Sequence, residues 1–443
     1  MPTVIRHSAS TEEQSREAER RRALQRSRDI DEELQETKRA LDKKRKAIKL
    51  LLLGVHARIY SHLCNVLTQS AQTSLVKNFQ MAFTPTRFGA ERAAWRTIVQ
   101  LNVISTIKRI LAYLEFAVAQ TTSHEDVSTL GSPVRRYRLA LSPLLAMEEN
   151  LKRELTTDTL NEDYADVCVR AGGGWKTTLN GILKNRSASP RLRQDAGDNE
   201  NLLTASKNQI VDMWEDPWVQ DTLRSIGANI EQTPGFFLDD IERVAAPDYE
   251  PTDTDIIRAR IRTVGVEEHH FVMEKGLPGS EFYITDVSGS KSTRHQWIPY
   301  FDDAQAILFL APLSFNMMLP DDPRTNRLED SIGLWKMICS NKLLQKCNLI
   351  LFLNKRDILE QTLKSGVQVK DWVPSYGDAP NEVDHVTTYF RERFKLNQKR
   401  LSPIPRPFMC YSTAAIDTKA TTALLVAVHT TLIREHLRQT ELI

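Results

Sequence analysis

The feature that most constrains the fold is a set of short apolar runs set far apart in the chain. They are IKLLLLG (48–54), EFYITDV (281–287), AILFL (306–310), NLILFLN (348–354) and PFMCY (407–411). Each has the length of a strand, and the most apolar of them suit strands buried on both faces of a parallel sheet. Amphipathic helical stretches, Arg327 to Ser340 and Val383 to Phe394, lie between the later runs. Strands alternating with helices predict an α/β fold. Between the first run and the rest, residues 78–252 read as largely helical, with Ala90 to Ala117 and Thr204 to Ile226 the clearest helices. Within them, residues 121–200 are rich in Ser, Thr, Asn, Gly and Asp and read partly as loop. The simplest architecture is a sheet domain with an all-helical domain inserted after its first helix. A chain of 443 residues has length enough for roughly three domains.

Residues 12–46 are mostly charge, with Ala23 and Ile30 in one sparse apolar row and Leu34, Leu41 and Ile48 in another. So narrow a seam fits a solvated helix or one that docks a partner, not a core helix. The balance of 59 basic against 57 acidic residues argues against a generic nucleic-acid binder. Five cysteines (Cys64, Cys168, Cys339, Cys347, Cys410) without a C-x-x-C pair read as a reduced, intracellular protein with no structural zinc. The start, MPTVIRH, does not read as a signal peptide. The nearest approach to a membrane span, Ala306 to Phe315, is too short and contains Pro312 and Ser314.

The segments that carry chemistry stand at strand ends. NKRD (354–357) closes the run NLILFL. A carboxylate there can accept hydrogen bonds from N1–H and the exocyclic amine of guanine while the lysine stem covers the ring; the plain alternative is a polar turn with Asp357 capping a helix. DVSGS (286–290) follows EFYIT and suits a carboxylate linked to a metal ion, followed by a flexible turn that senses a γ-phosphate. Arg260 and Thr263 form an Arg-x-x-Thr pair: a guanidinium for charge on a transferred phosphoryl group and a hydroxyl for magnesium. A basic linker entering a strand would read the same way.

Taken in order, these segments resemble the alpha subunit of heterotrimeric G proteins. ERAAWRTIVQLNVISTI and WEDPWVQ are similar to its helical domain. PDYEPTDTDIIRARIRTVG is similar to its linker and first switch, and DVSGSKSTRHQWIPYFDDAQAILFLAPLSFNMML to its second switch and the following strand. The tail LIREHLRQTELI is similar to its receptor-contacting end. The resemblance implies a Ras-like P-loop GTPase domain (48–70 and 253–443), an inserted helical domain (71–252) and an extended N-terminal helix (1–47) that docks a βγ dimer. It implies GTP or GDP with Mg²⁺ as ligand. Gly54, Ser61, Asp216, Gly289, Asn354, Lys355, Asp357 and Ala414 would contact the nucleotide. Ser61, Thr263 and Asp286 would serve the metal, and Arg260 would stabilise the transition state. Partners would be βγ and a G-protein coupled receptor, with a cytoplasmic, peripheral place at the inner face of the plasma membrane.

The sequence also departs from that family. Gly54 to His62 reads GVHARIYSH where the family has G-x-x-x-x-G-K-S-T, so Ile59 stands at the second glycine and Tyr60 at the lysine. AGGGWKTT (171–178) is no substitute, because Trp175 precedes its lysine. Ser290 replaces the water-orienting glutamine of DVGGQ. TAAI (413–416) stands for a TCAT-type loop, and Pro217 displaces the serine after Asp216. Pro2 follows Met1, so the Met-Gly acylation signal is not present as written. Two functions are therefore expected: an alpha subunit with impaired hydrolysis, or a pseudo-GTPase scaffold that binds βγ or receptor with little turnover.

Overall fold

The computed structural model describes residues 25, 26, 28, 31–35, 37, 38, 47–54, 71–121, 132–155, 168–170, 202–264 (apart from 229, 232 and 234), 266–274, 281–287, 291–319, 322–413, 422, 425, 426, 428 and 430. The chain divides into two compact units, residues 1–48 and 49–443. In the first, the described residues from 25 to 38 are helical and exposed, with Leu34 at 62%. Ala23, Ile30 and Leu41 of the expected seam lie outside the described residues.

The second unit is built on a six-stranded sheet of β1 (Ile48–Gly54), β2 (Val266–Val272), β3 (Glu281–Val287), β4 (Ala306–Pro312), β5 (Asn348–Asn354) and β6 (Met409–Thr413). Its order is β6-β5-β4-β1-β3-β2. β1 pairs parallel with β4, β4 with β5 and β5 with β6, whereas β2 and β3 run antiparallel. The expected strands are present, with the third run extended to Pro312 and the last shifted to Met409–Thr413. Alternation sends Leu51, Leu53, Ile307, Phe309, Leu349, Leu351 and Leu353 to one face. There they meet Trp335 of α8 (Arg327–Ser340) and Phe390 and Phe394 of α10 (Val383–Leu401). Trp335 is fully buried, and its indole N–H donates to the Phe394 carbonyl at 3.0 Å. On the sheet, helix α1 (Ala71–Phe83) sets Phe79 against Phe271 and Phe282, with ring centroids 5.3 and 5.6 Å apart.

A second core runs from Phe88 to Ile261 and is helical. Its spine is α2 (Arg92–Thr121), whose Ile98, Leu101, Ile104 and Leu114 are fully buried. Around it lie α3 (Ser132–Ala140), α4 (Ser142–Leu155), α5 (Lys207–Glu215) and α6 (Pro217–Ser225). The helix expected over Thr204 to Ile226 is thus two helices. Pro217 cannot donate a backbone N–H, so the helix stops at Glu215 and restarts with Pro217 in its first turn and Asp216 as N-cap. Short α7 (Asp253–Arg258) leads out of this core toward the sheet. In the expected loop-rich stretch, Cys168–Arg170 forms a strand parallel to Arg262–Val264.

Candidate functional site

Functional side chains gather where the strands β1, β3 and β5 end. Asn354, the last residue of β5, is buried and holds the turn that follows: its Oδ1 accepts from the Lys355 backbone N–H at 2.7 Å and from the Thr413 hydroxyl at 3.4 Å. Lys355 lies in the left-handed region (φ 64°, ψ 40°), where no other non-glycine among the described residues is found. Such strain persists where surrounding structure enforces it, and often where function needs it. The turn delivers Asp357 into the first turn of α9 (Arg356–Lys364), a favourable place for a carboxylate. Its Oδ1 is buried and has no hydrogen-bond partner among the described residues. A buried acceptor of this kind is costly unless a ligand supplies the donor. A guanine edge, with two adjacent N–H donors, fits it.

Burial pushes the Lys355 ammonium down to about 7, with Arg327 and Arg260 repelling it further and Asp357 partly offsetting them. Arg327, the first residue of α8, is 3% exposed, and burial lowers it to about 10. Lys355 and Arg327 thus crowd cationic groups at this end of the sheet, where bound negative charge would be stabilised.

Arg260 is positioned through its backbone. Its N–H donates to Asn102 Oδ1 at 2.5 Å, and its carbonyl accepts from Asn102 Nδ2 at 2.8 Å. Asn102 belongs to α2, so the helical domain fixes the segment that carries the arginine. Gly235, at φ +75°, lets the chain pass: a Cβ there would sit 2.7 Å from Asn102 Oδ1 and 3.2 Å from the Arg260 Cβ. Asn102→Ala should lower hydrogen-exchange protection of the Arg260 amide at least about tenfold, since a lost buried hydrogen bond costs about 1.4 kcal/mol. Gly235→Ala should do the same and also lower the melting temperature. An unchanged Arg260 exchange rate in both would contradict this account.

Upstream, Lys77 of α1 is buried and donates to the carbonyls of Ile256 (2.9 Å) and Ala259 (2.6 Å), closing the end of α7. Asp286 stands directly opposite Glu267 in the β2–β3 ladder. Burial chiefly, then the Glu267 carboxylate, pushes Asp286 up to about 8. A divalent cation would relieve that repulsion, so the acid pair fits Mg²⁺. Both oxygens of Asp216 are engaged inside the helical domain. One accepts from the Trp218 backbone N–H at 2.8 Å, and the other accepts from the Tyr137 hydroxyl and lies 3.8 Å from Arg136. The Thr263 backbone lies in the strand Arg262–Val264, while Ser61, Gly289 and Ala414 fall outside the described residues, as do Ile59, Tyr60 and Ser290.

The structure also brings in a residue that the sequence did not single out. Gln72, second in α1, is 1% exposed, and its Nε2 donates to the carbonyls of Leu52 in β1 (3.0 Å) and Val287 in β3 (3.3 Å). Gly54 closes β1 beside it: a Cβ at Gly54 would lie 3.6 Å from Gln72 Cδ and 3.2 Å from the Leu310 carbonyl. Gln72-Thr73 at a helix start repeats the Lys-Ser/Thr step of a phosphate loop with an amide for the ammonium. A search for lysine cannot find it; the amide-hydroxyl pair opening the first helix after β1 is the signal.

Residues 24–432 match the model of the G-protein alpha subunit family. The chain is 34% identical over 292 residues to the guanine nucleotide-binding protein alpha-4 subunit of Mycosarcoma maydis, an alignment covering 60% of this chain and 50% of that protein. It is 33% identical over 250 residues to the G(o) subunit alpha of Locusta migratoria, covering 56% and 67%. It is also 33% identical over 229 residues to the alpha-16 subunit of Caenorhabditis elegans, covering 51% and 62%. The chain thus spans between half and two thirds of the length of these relatives.

Proposed function

This chain belongs to the G-protein alpha subunit family, and on that premise we propose that it binds guanine nucleotides through the Asn354-Lys355-Asp357 turn. The observation that carries this reading is the buried, unpartnered Oδ1 of Asp357 beside a strained Lys355. Fold and family agree with it, since a sheet domain with a helical insert is what the family implies. Placing the start of the helical domain after Phe83 keeps α1 with the sheet it covers. The proposed ligand is GTP or GDP with Mg²⁺. Thr263 and Asp286 would serve the metal with one hydroxyl, Ser61 in the register of Gly54 to His62 or Thr73 in that of Gln72; Gly54, Gly289, Ala414 and Asp216 would line the nucleotide; Arg260 would stabilise charge on the γ-phosphate. The proposed partners are a βγ dimer, met by the charged first helix, and a receptor, met by the C-terminal tail. No helix among the described residues is long and apolar enough to cross a membrane. Attachment at the inner face of the plasma membrane is proposed to come through the partner.

The test is Asp357→Asn. The variant's amide donates where the carboxylate accepted, so guanine nucleotides should weaken at least about tenfold, a charged hydrogen bond being worth about 1.5–3 kcal/mol. Xanthine nucleotides, whose 2-oxo group accepts, should gain relative to them. Equal GDP affinity of variant and parent would reduce NKRD to a turn. The second reading, a pseudo-GTPase scaffold with little turnover, is favoured by one observation: Gln72, at the lysine position of the Lys-Ser/Thr step, spends its amide donors on two main-chain carbonyls.

A further inference from the structure

We infer that Gln72 is an internal brace between the ends of β1 and β3 whose amide donors are spent on main-chain carbonyls, so that this side chain adds nothing to the binding of a nucleotide's phosphates. The inference rests on the guanine reading of Asp357 and narrows it. A glutamine amide has two N–H donors and one acceptor oxygen. Here Nε2 faces two main-chain carbonyls, Leu52 at 3.0 Å and Val287 at 3.3 Å. Only the nitrogen can face two acceptors, so the orientation of the amide is fixed. Both donors are then consumed. What remains is Oε1, buried and without a hydrogen-bond partner among the described residues. Phosphate oxygens are acceptors too, and an acceptor facing them offers no bond. A lysine at this place would supply three donors and a full charge.

The brace has a second consequence. Leu52 lies near the end of β1, and Val287 ends β3, the strand that carries Asp286 and leads into the second switch. Gln72, itself anchored in the first turn of α1, ties both strand ends together. The side-chain amide thus holds the end of β3 to β1 whether or not a γ-phosphate is bound.

The experiment pairs calorimetric titration with thermal unfolding on the full chain. GMP, GDP and a non-hydrolysable GTP analogue are titrated, each with Mg²⁺; the ratio of GDP to GMP affinity should agree within about threefold between the parent and Gln72→Met, because the side chain gives the phosphates no donor in either. Gln72→Lys frees the two carbonyls and supplies a cation; GDP and the analogue should then tighten at least about tenfold over GMP. Gln72→Met keeps the size but donates nothing. Ligand-free, it should melt roughly 4 °C or more below the parent, because two buried carbonyls lose their donors. A GDP-to-GMP affinity ratio at least tenfold higher in the parent than in Gln72→Met would overturn the inference. So would a Gln72→Met melting temperature equal to the parent's, which decides the brace even if the lysine variant does not fold. Failure of all three ligands to bind both parent and Gln72→Lys would instead overturn the base reading and the ligand half of the inference with it; the melting comparison still decides the brace.

Discussion

Single-turnover GTP hydrolysis by this chain is expected to run at least about a hundredfold slower than by an alpha subunit with an intact phosphate loop and DVGGQ motif. Two losses combine. Gln72 presents an amide whose donors are already used, so charge developing on the β- and γ-phosphates meets no ammonium there. Ser290 is too short to orient the attacking water as a glutamine does, and orientation of a nucleophile contributes a further few kcal/mol. Each 1.4 kcal/mol is about tenfold in rate, so even a modest share of each loss reaches the hundredfold. Arg260, held through its backbone by Asn102, can stabilise charge but cannot align water. The double substitution Gln72→Lys with Ser290→Gln should recover part of the rate. Ile59→Gly and Tyr60→Lys, which restore the motif in the register of Gly54 to His62, should recover less. Rapid-quench measurement with the nucleotide in place checks both, and an ordinary family rate in the parent would refute the assignment of these positions.

The next largest effect is expected at Asp255, the buried acid at the root of the Arg260 segment. It is 1% exposed and accepts from Arg243 through both oxygens, at 2.6 and 2.9 Å, from the Tyr249 hydroxyl at 3.1 Å and from the Thr252 N–H at 2.9 Å. In return the Thr252 hydroxyl oxygen accepts from the Asp255 N–H, a capping box that starts α7. Burial alone would raise this carboxyl. The Arg243 guanidinium and the Thr252 bonds more than offset it, holding Asp255 near 2. Asp255→Ala at pH 7 should cost roughly 2–3 kcal/mol, less than the full loss of a doubly buried pair because Arg243 is partly in water. A carboxylate depressed in the folded state stabilises above its unfolded value near 4, and that contribution is lost as pH falls toward 2. The gap between parent and variant should therefore be constant from pH 7 to about 5 and shrink below 4. Because α7 leads into Arg260, the variant should also lose exchange protection at that amide. A gap that persists undiminished at pH 2 would show that Asp255 acts by packing alone.

Much of this protein was legible without coordinates because its signals are local. Runs such as NLILFLN contain their own instruction: continuous apolar residues of strand length must be covered on both faces, which forces helices around a sheet. Asn354, Lys355 and Asp357 were legible because one turn at one strand end holds them together. A helix boundary was missed at Asp216 and Pro217, although the missing proline donor was written there. What only tertiary structure decided are contacts between segments remote in sequence. Asn102 and Arg260 meet across 158 residues, and Gln72 and Val287 across 215. No spacing rule predicts which amide will reach which carbonyl, because such a bond exists only after two cores have packed and left a donor facing an acceptor in a place without water. The sequence by itself determined the sheet, the helical insert and the turn at Asn354 to Asp357; packing alone decided that the Gln72 amide would tie the ends of β1 and β3.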